Sequence, residues 1–95
     1  MYVNRRTYIA QKGKLEEAAN FEKEFIQRMG PAHAHRVYVS EVGPFDTLAE
    51  ELEFETLAEY ERFVAEVMSK ATAEDLAKWD SLTLTGGINE IWQLR

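Results

Sequence analysis

From Tyr2 to Ala10 the chain is rich in β-branched and aromatic residues and has no breaker, which predicts a first strand. Gln11-Lys12-Gly13-Lys14 supplies a turn, and the period then changes. Leu15, Ala18, Ala19, Phe25, Ile26 and Met29 fall on one helical stripe flanked by Phe21, while Glu16, Glu17, Lys23, Glu24 and Gln27 cover the other side. Gly30-Pro31 ends this helix, because glycine tolerates a left-handed exit and proline cannot continue the hydrogen-bond ladder. Arg36 to Val42 predicts a second strand centred on Val37, Tyr38 and Val39. Gly43-Pro44 punctuates it, and Thr47 to Phe54 predicts a third, joined by a hairpin or tight antiparallel turn. Thr56-x-x-Glu59 matches a capping box, and Leu57, Tyr60, Phe63, Val64, Val67 and Met68 follow at helical spacing. Thr72-Ala73-Glu74-Asp75 opens a short helix carrying Leu76 and Trp79. Gly86-Gly87 breaks the pattern, and Ile88 to Leu94 predicts a fourth strand.

The order β-α-β-β-α-(α)-β leaves no residues for a linker or tail and predicts a single α+β domain over residues 1–95. Two right-handed split βαβ units interleave most simply into a four-stranded antiparallel sheet with the helices on one face, the ferredoxin-like arrangement. The other face then needs water, a ligand or a partner. A solvated face shows clean alternation of apolar and polar residues, and the first, second and fourth strands do not. The leftover apolar groups predict a homodimer that closes the two sheets face to face into a barrel. The first and third strands are antiparallel neighbours in this topology, which places Arg5 or Arg6 to pair with Glu51 or Glu53.

Composition narrows the classes. With 17 acidic and 11 basic residues the formal charge is -6, which argues against nucleic acid as a partner. No apolar stretch is long enough to span a bilayer and the N-terminus lacks a secretory signal, so a cytoplasmic location without membrane partners is expected. The absence of cysteine removes disulfides, thiolate metal sites and a cysteine nucleophile. No nucleophile-elbow or phosphate-binding glycine motif is present. The acidic run Glu50-Glu51-x-Glu53-x-Glu55 alternates along a strand and is expected to be solvated or paired with arginine. His33-Ala34-His35 is the only histidine pair; two extended imidazoles on one side are able to share a metal, but solvated surface histidines are the expectation, and no metal site is assigned.

A strand running into Phe-Glu-Thr-Leu-Ala-Glu-Tyr-Glu-Arg-Phe (54–63), the preceding Gly-Pro turn and the terminal Asn-Glu-Ile-Trp-Gln-Leu strand (89–94) resemble the dimeric α+β barrel superfamily, which includes NIPSNAP-like and antibiotic-biosynthesis-monooxygenase-like domains. The resemblance spans nearly the whole chain. It implies a pocket between sheet and helices in each subunit. Members of the superfamily include cofactor-free oxygenases, haem-degrading enzymes and lactone isomerases. Haem-degrading members use an Asn on the first strand, a Trp, and a haem-ligating His from the second half of the domain. Asn4 and, loosely, Trp79 match the first two, but nothing after His35 is histidine, so no cofactor is assigned.

An apolar cavity for an aromatic molecule, with one or two polar groups to hold its anion, is what a cofactor-free oxygenase requires. Asn4, Arg6, Tyr8, Tyr38, Trp79 and Trp92 are the pocket candidates; core filling by the two tryptophans, with Asn4 capping a sheet end, is the alternative. The reading that follows is a dimeric barrel binding a small apolar or aromatic molecule, monooxygenase-like if it is an enzyme. A non-catalytic dimer that associates with another protein is the second reading, and a haem or metal protein the third.

Overall fold

The computed structural model describes residues 1–95. The elements are β1 (Tyr2–Ile9), α1 (Leu15–Met29), β2 (His35–Val39), β3 (Thr47–Phe54), α2 (Leu57–Lys70), α3 (Ala73–Leu82) and β4 (Ile88–Gln93). They form one four-stranded sheet in the order β2-β3-β1-β4, with every neighbour antiparallel. This is the ferredoxin-like order that the element pattern predicts.

Local sequence accounts for most boundaries. Gly30 takes the left-handed conformation (φ 69°, ψ 59°) at the exit of α1 and its amide donates to the Gln27 carbonyl. The Thr56 hydroxyl accepts from the Glu59 amide at the start of α2. The Glu59 carboxylate accepts weakly from the Glu55 amide rather than from Thr56, so only half of the expected box forms there. The complete box is one helix later, where Thr72 and Asp75 exchange hydrogen bonds of 3.0 Å each. Two boundaries differ from expectation. The second strand is shifted toward the N-terminus, to His35–Val39, and the link to β3 runs through residues 40–46 instead of a tight turn. Its tip leaves Val42 and Phe45 almost fully exposed.

The core has two apolar parts. Ala10, Ala18, Ala19, Leu48 and Leu82 pack at one end, and Phe25, Ile26, Met29, Leu52 and Phe54 at the other. Between them, on the same faces of α1 and β3, sit Glu22 and Glu50, both buried. No residue of α2 is fully buried, so this helix roofs the sheet without sealing it.

Register decides which side chains face the helices. Arg5 pairs with Glu51 and Glu90, and Thr7 with Ala49 and Ile88. Tyr38 pairs with Ala49 and Arg36 with Glu51. The uncovered face therefore carries a row Arg36–Glu51–Arg5–Glu90 of alternating charge, with Tyr38, Thr7 and Ile88 on one side of it and Val3 and Trp92 on the other. Arg5 lies 3.9 Å from Glu51, as the sequence suggests, and Arg36 bridges Glu51 and Glu53.

Candidate functional site

β1 alternates, and Asn4, Arg6 and Tyr8 all point beneath the helices. The Asn4 amide nitrogen donates to the Asn89 side-chain oxygen (2.7 Å) and the Glu90 carbonyl (2.8 Å). Its oxygen accepts from Arg6 Nε at 3.0 Å. A buried asparagine with both ends engaged has its amide orientation set by its partners. Asn4 thus ties β1 to β4 and aims Arg6, a stronger role than capping a sheet end.

Arg6 lines three adjoining spaces. One is a cavity of about 200 Å³ walled by Phe21, Phe25, Ile26, Met68, Leu76 and Trp79, with Tyr8 and Glu22 on its polar side. The second is a narrow extension of about 40 Å³ toward Tyr60 and Phe63. The third is a wider groove of about 410 Å³ that opens between Val64 and Met68 of α2 and Gly87 at the start of β4. A Cβ at Gly87 would stand 2.4 Å from the Thr7 carbonyl oxygen, and the residue has φ +125°, so glycine lets the chain lie against β1 at the mouth of the groove. No carboxylate lies within ion-pair distance of Arg6, whereas Arg5, its neighbour on the opposite face, has one. Burial works against the Arg6 charge, but the Tyr8 and Tyr60 oxygens and the more distant Glu50 outweigh it, and the guanidinium holds its proton more tightly than an ordinary arginine.

Behind Arg6 is a buried polar cluster. Tyr8 Oη donates to Glu50 Oε1 at 3.3 Å, and His35 Nε2 lies 2.9 Å from Glu50 Oε2, with both the His35 and Glu50 side chains withdrawn from solvent. Because its partner is an acceptor, His35 Nε2 is the donor in this pair. Glu22 reaches Glu50 from α1. Burial first, then the Glu50 charge and a hydrogen bond to it, push the Glu22 carboxyl well above its usual range. Tyr8 is also pushed up, by burial and by the charges of Glu50 and Glu22, so its hydroxyl stays protonated. The Tyr8 ring packs edge-on against Trp79, with centroids 4.9 Å apart, and Trp79 stacks on Phe21.

The structure brings together four of the six pocket candidates, Asn4, Arg6, Tyr8 and Trp79. Tyr38 and Trp92 lie on the uncovered face, where the Tyr38 hydroxyl donates to Glu51. The alternation within each strand is as read from sequence; the inter-strand register that assigns even positions of β2 and β4 to the outer face is not a local property. The histidines also separate. His33 pairs with Glu59 at 2.9 Å, and His35 is buried on Glu50 instead of being solvated. Glu50 is likewise neither solvated nor paired with arginine. No group of three or more histidine and acidic side chains is arranged to hold a metal ion.

Glu22, Glu50 and the buried place of His35 are what sequence reasoning missed. A signal existed for two of them. Glu22 falls between Ala18–Ala19 and Phe25–Ile26 on the apolar stripe, and Glu50 between Leu48 and Leu52 on the apolar side of its strand. A charged residue centred in an apolar repeat marks a buried polar site.

No family model matches the sequence, and no curated protein matches it. Solved structures do match in shape. Two structures of one Agrobacterium tumefaciens protein, described as a NIPSNAP family protein with unknown function, superpose with TM-scores of 0.79 and 0.74 at 22% and 20% identity, covering 98% and 97% of this chain and 92% and 86% of theirs. The fold is one that NIPSNAP proteins have. A NIPSNAP-like domain protein from Burkholderia xenovorans gives 0.76 at 21% identity over 99% of this chain and 84% of its own. A protein described as an antibiotic biosynthesis monooxygenase gives 0.73 at 10% identity, over 100% of this chain and 99% of its own. The similarity to NIPSNAP-like and monooxygenase-like domains thus extends over the whole chain as a shared fold.

Proposed function

We propose that this chain binds a small apolar or aromatic molecule with one polar oxygen, seated between sheet and helices. The observation that carries the reading is the convergence of aromatic and aliphatic walls on a half-buried Arg6 with no carboxylate in ion-pair range. The acceptors around Arg6 are the neutral oxygens of Asn4, Tyr8 and Tyr60, so a partly desolvated guanidinium is left without an anion to pair with, and a phenolate or aryl carboxylate supplies one. Monooxygenase-like chemistry without a cofactor is the enzymatic form of this reading; its monooxygenase part is supported by a fold neighbour described as an antibiotic biosynthesis monooxygenase. The reading includes a cytoplasmic homodimer joined through the open sheet face, supported by Trp92 and Ile88, 58% and 59% exposed on either side of the charged row. In a two-fold pairing that row meets itself in reverse, opposing arginines to glutamates.

Calorimetric titration with small phenols and aryl carboxylates tests the binding. Wild-type protein is expected to bind members of the series, with affinity at least about tenfold weaker in Arg6→Gln and Trp79→Ala, roughly 1.4 kcal/mol. Absence of binding across the series contradicts the reading. Oxygen uptake with each bound phenol tests the enzymatic form.

Association with another protein is the second reading, favoured by the β2–β3 tip, where Val42 and Phe45 are 97% and 94% exposed. It predicts that Val42→Ser with Phe45→Ser abolishes partner capture and leaves small-molecule binding unchanged.

A further inference from the structure

The cluster behind Arg6 has a direction. Glu50 Oε1 accepts from Tyr8, Oε2 faces His35, and the Glu22 carboxyl lies against it. These groups come from β1, β2, β3 and α1, and all but Tyr8 are shut away from the cavities that Arg6 lines or, for Glu22, touch them at one edge. Tyr8 is the member that fronts both the smaller cavity and the open groove. A ligand hydroxyl beside Arg6 therefore meets the Tyr8 oxygen, and the Tyr8 hydrogen already points at Glu50.

We propose that Glu50, acting through Tyr8, is the proton acceptor for an acidic hydroxyl of the bound ligand, a phenol or enol, with Arg6 holding the oxyanion that forms. This deepens the ligand-binding reading above and rests on it.

The step balances without a co-reactant. The ligand O–H bond breaks as its proton goes to Tyr8 Oη. The Tyr8 O–H bond breaks as that proton goes to Glu50 Oε1. Tyr8 is neutral before and after, so a phenolate of Tyr8 never accumulates. One negative charge leaves Glu50 and one appears on the ligand oxygen beside Arg6, so the number of buried charges is unchanged. That conserves the largest electrostatic cost in the site, because a buried ion without a partner is far more costly than a paired one. Glu22 fits the same account. Burial and the adjacent Glu50 favour its neutral form, which opposes a second negative charge that would resist the transfer. The raised affinity of Tyr8 keeps it a relay rather than a resting base. The charged and titratable groups facing the cluster are Arg6 and Tyr8 from β1, Glu22 from α1, His35 from β2, Glu50 from β3, Tyr60 from α2 and Asp75 from α3, the last at the cavity edge and bound to Arg28. Tyr8 and Arg6 are the residues that touch the ligand; Glu50 acts through Tyr8, and Asn4 through Arg6.

Nitrophenols of graded acidity test the step, since the bound phenolate absorbs at longer wavelength than the bound phenol. In wild-type protein at fixed pH, the bound probe is expected to be ionised at least about tenfold more than the free probe, a shift of about one pKa unit. In Tyr8→Phe and Glu50→Gln that excess is lost while the probe still binds. A merely structural role would weaken binding and leave the bound spectrum unshifted. A bound probe that stays neutral in wild type, or ionises equally in Tyr8→Phe, overturns the relay and leaves the binding reading intact. Failure of every nitrophenol to bind overturns both. A ligand-free measurement covers the case in which Glu50→Gln does not fold: carbon NMR of glutamate side-chain carboxyls in wild type is expected to show Glu22 holding its proton well above the ordinary carboxylate range. A Glu22 that titrates in the ordinary range would overturn the relay.

Discussion

Glu50 and Glu51 are neighbours on β3 and face opposite sides of one sheet. Glu51 is one link in a row of alternating charge, with Arg5 and Arg36 beside it on a face open to water. Glu50 is fully buried and holds a histidine, a tyrosine and a second acid in place. Neither face is uniform in polarity. The covered face contains a polar cluster where desolvation is costly, and the uncovered face keeps Trp92, Ile88 and Tyr38 in water. Stability alone favours the opposite arrangement. In the proposed reading the buried polar groups belong to a ligand site and the exposed apolar ones to a dimer surface.

The sharpest way to break that comparison is to truncate both glutamates. Glu50→Ala leaves His35 and Tyr8 without their acceptor and is expected to lower stability by about 3 kcal/mol. Glu51→Ala removes surface pairs and is expected to cost under about 1 kcal/mol. Urea denaturation of the two variants measures the difference; equal losses would mean that the faces are not distinct in energy.

The outer face has its own test. Trp92→Glu is expected to weaken self-association by about 2 kcal/mol, roughly thirtyfold, as seen by sedimentation equilibrium. A wild-type protein that is monomeric at micromolar concentration would remove the partner from the account.

At the junction of the groove with β4, Gly87→Ala is expected to destabilise by about 1–3 kcal/mol in thermal unfolding, through a contact with the Thr7 carbonyl and a strained φ. A neutral effect would show that the mouth of the groove is not closely packed.

The smallest effect is one of pH. Glu22 binds its proton more tightly folded than unfolded, where its ordinary value is 4.5. Between that value and the raised one the native state holds the extra proton, so stability falls as pH rises through the window. Glu22→Gln is expected to flatten that fall and to change stability little at lower pH. Urea midpoints across a pH series measure it, and an unchanged slope would contradict the buried, neutral Glu22.

How much of this was legible beforehand depended on the range of the signal. Helix starts at Thr56 and Thr72, the exit at Gly30 and the span of β3 follow from local chemistry, and the strand order follows from the sequence of elements. That Asn4, Arg6, Tyr8 and Trp79 lie together beneath the helices is legible because polar and aromatic groups alternate along a strand or mark a helix beside it. The face taken by Tyr38 and Trp92 is not legible locally, because it depends on pairing with Ala49 across the β2–β3 link and with Val3 at the other end of the chain. Glu22 and Glu50 were read as surface acids or passed over because charge outweighed position. Their spacing within the apolar repeats was the better guide.

The chain has two tryptophans, one on each face, and their indole N–H resonances give a separate reporter for each half of the account. A single NMR series, with added phenol and with dilution, reads both. The account predicts that the Trp79 signal moves with phenol and that the Trp92 signal moves with protein concentration. A Trp92 signal that follows phenol while Trp79 stays still would contradict it.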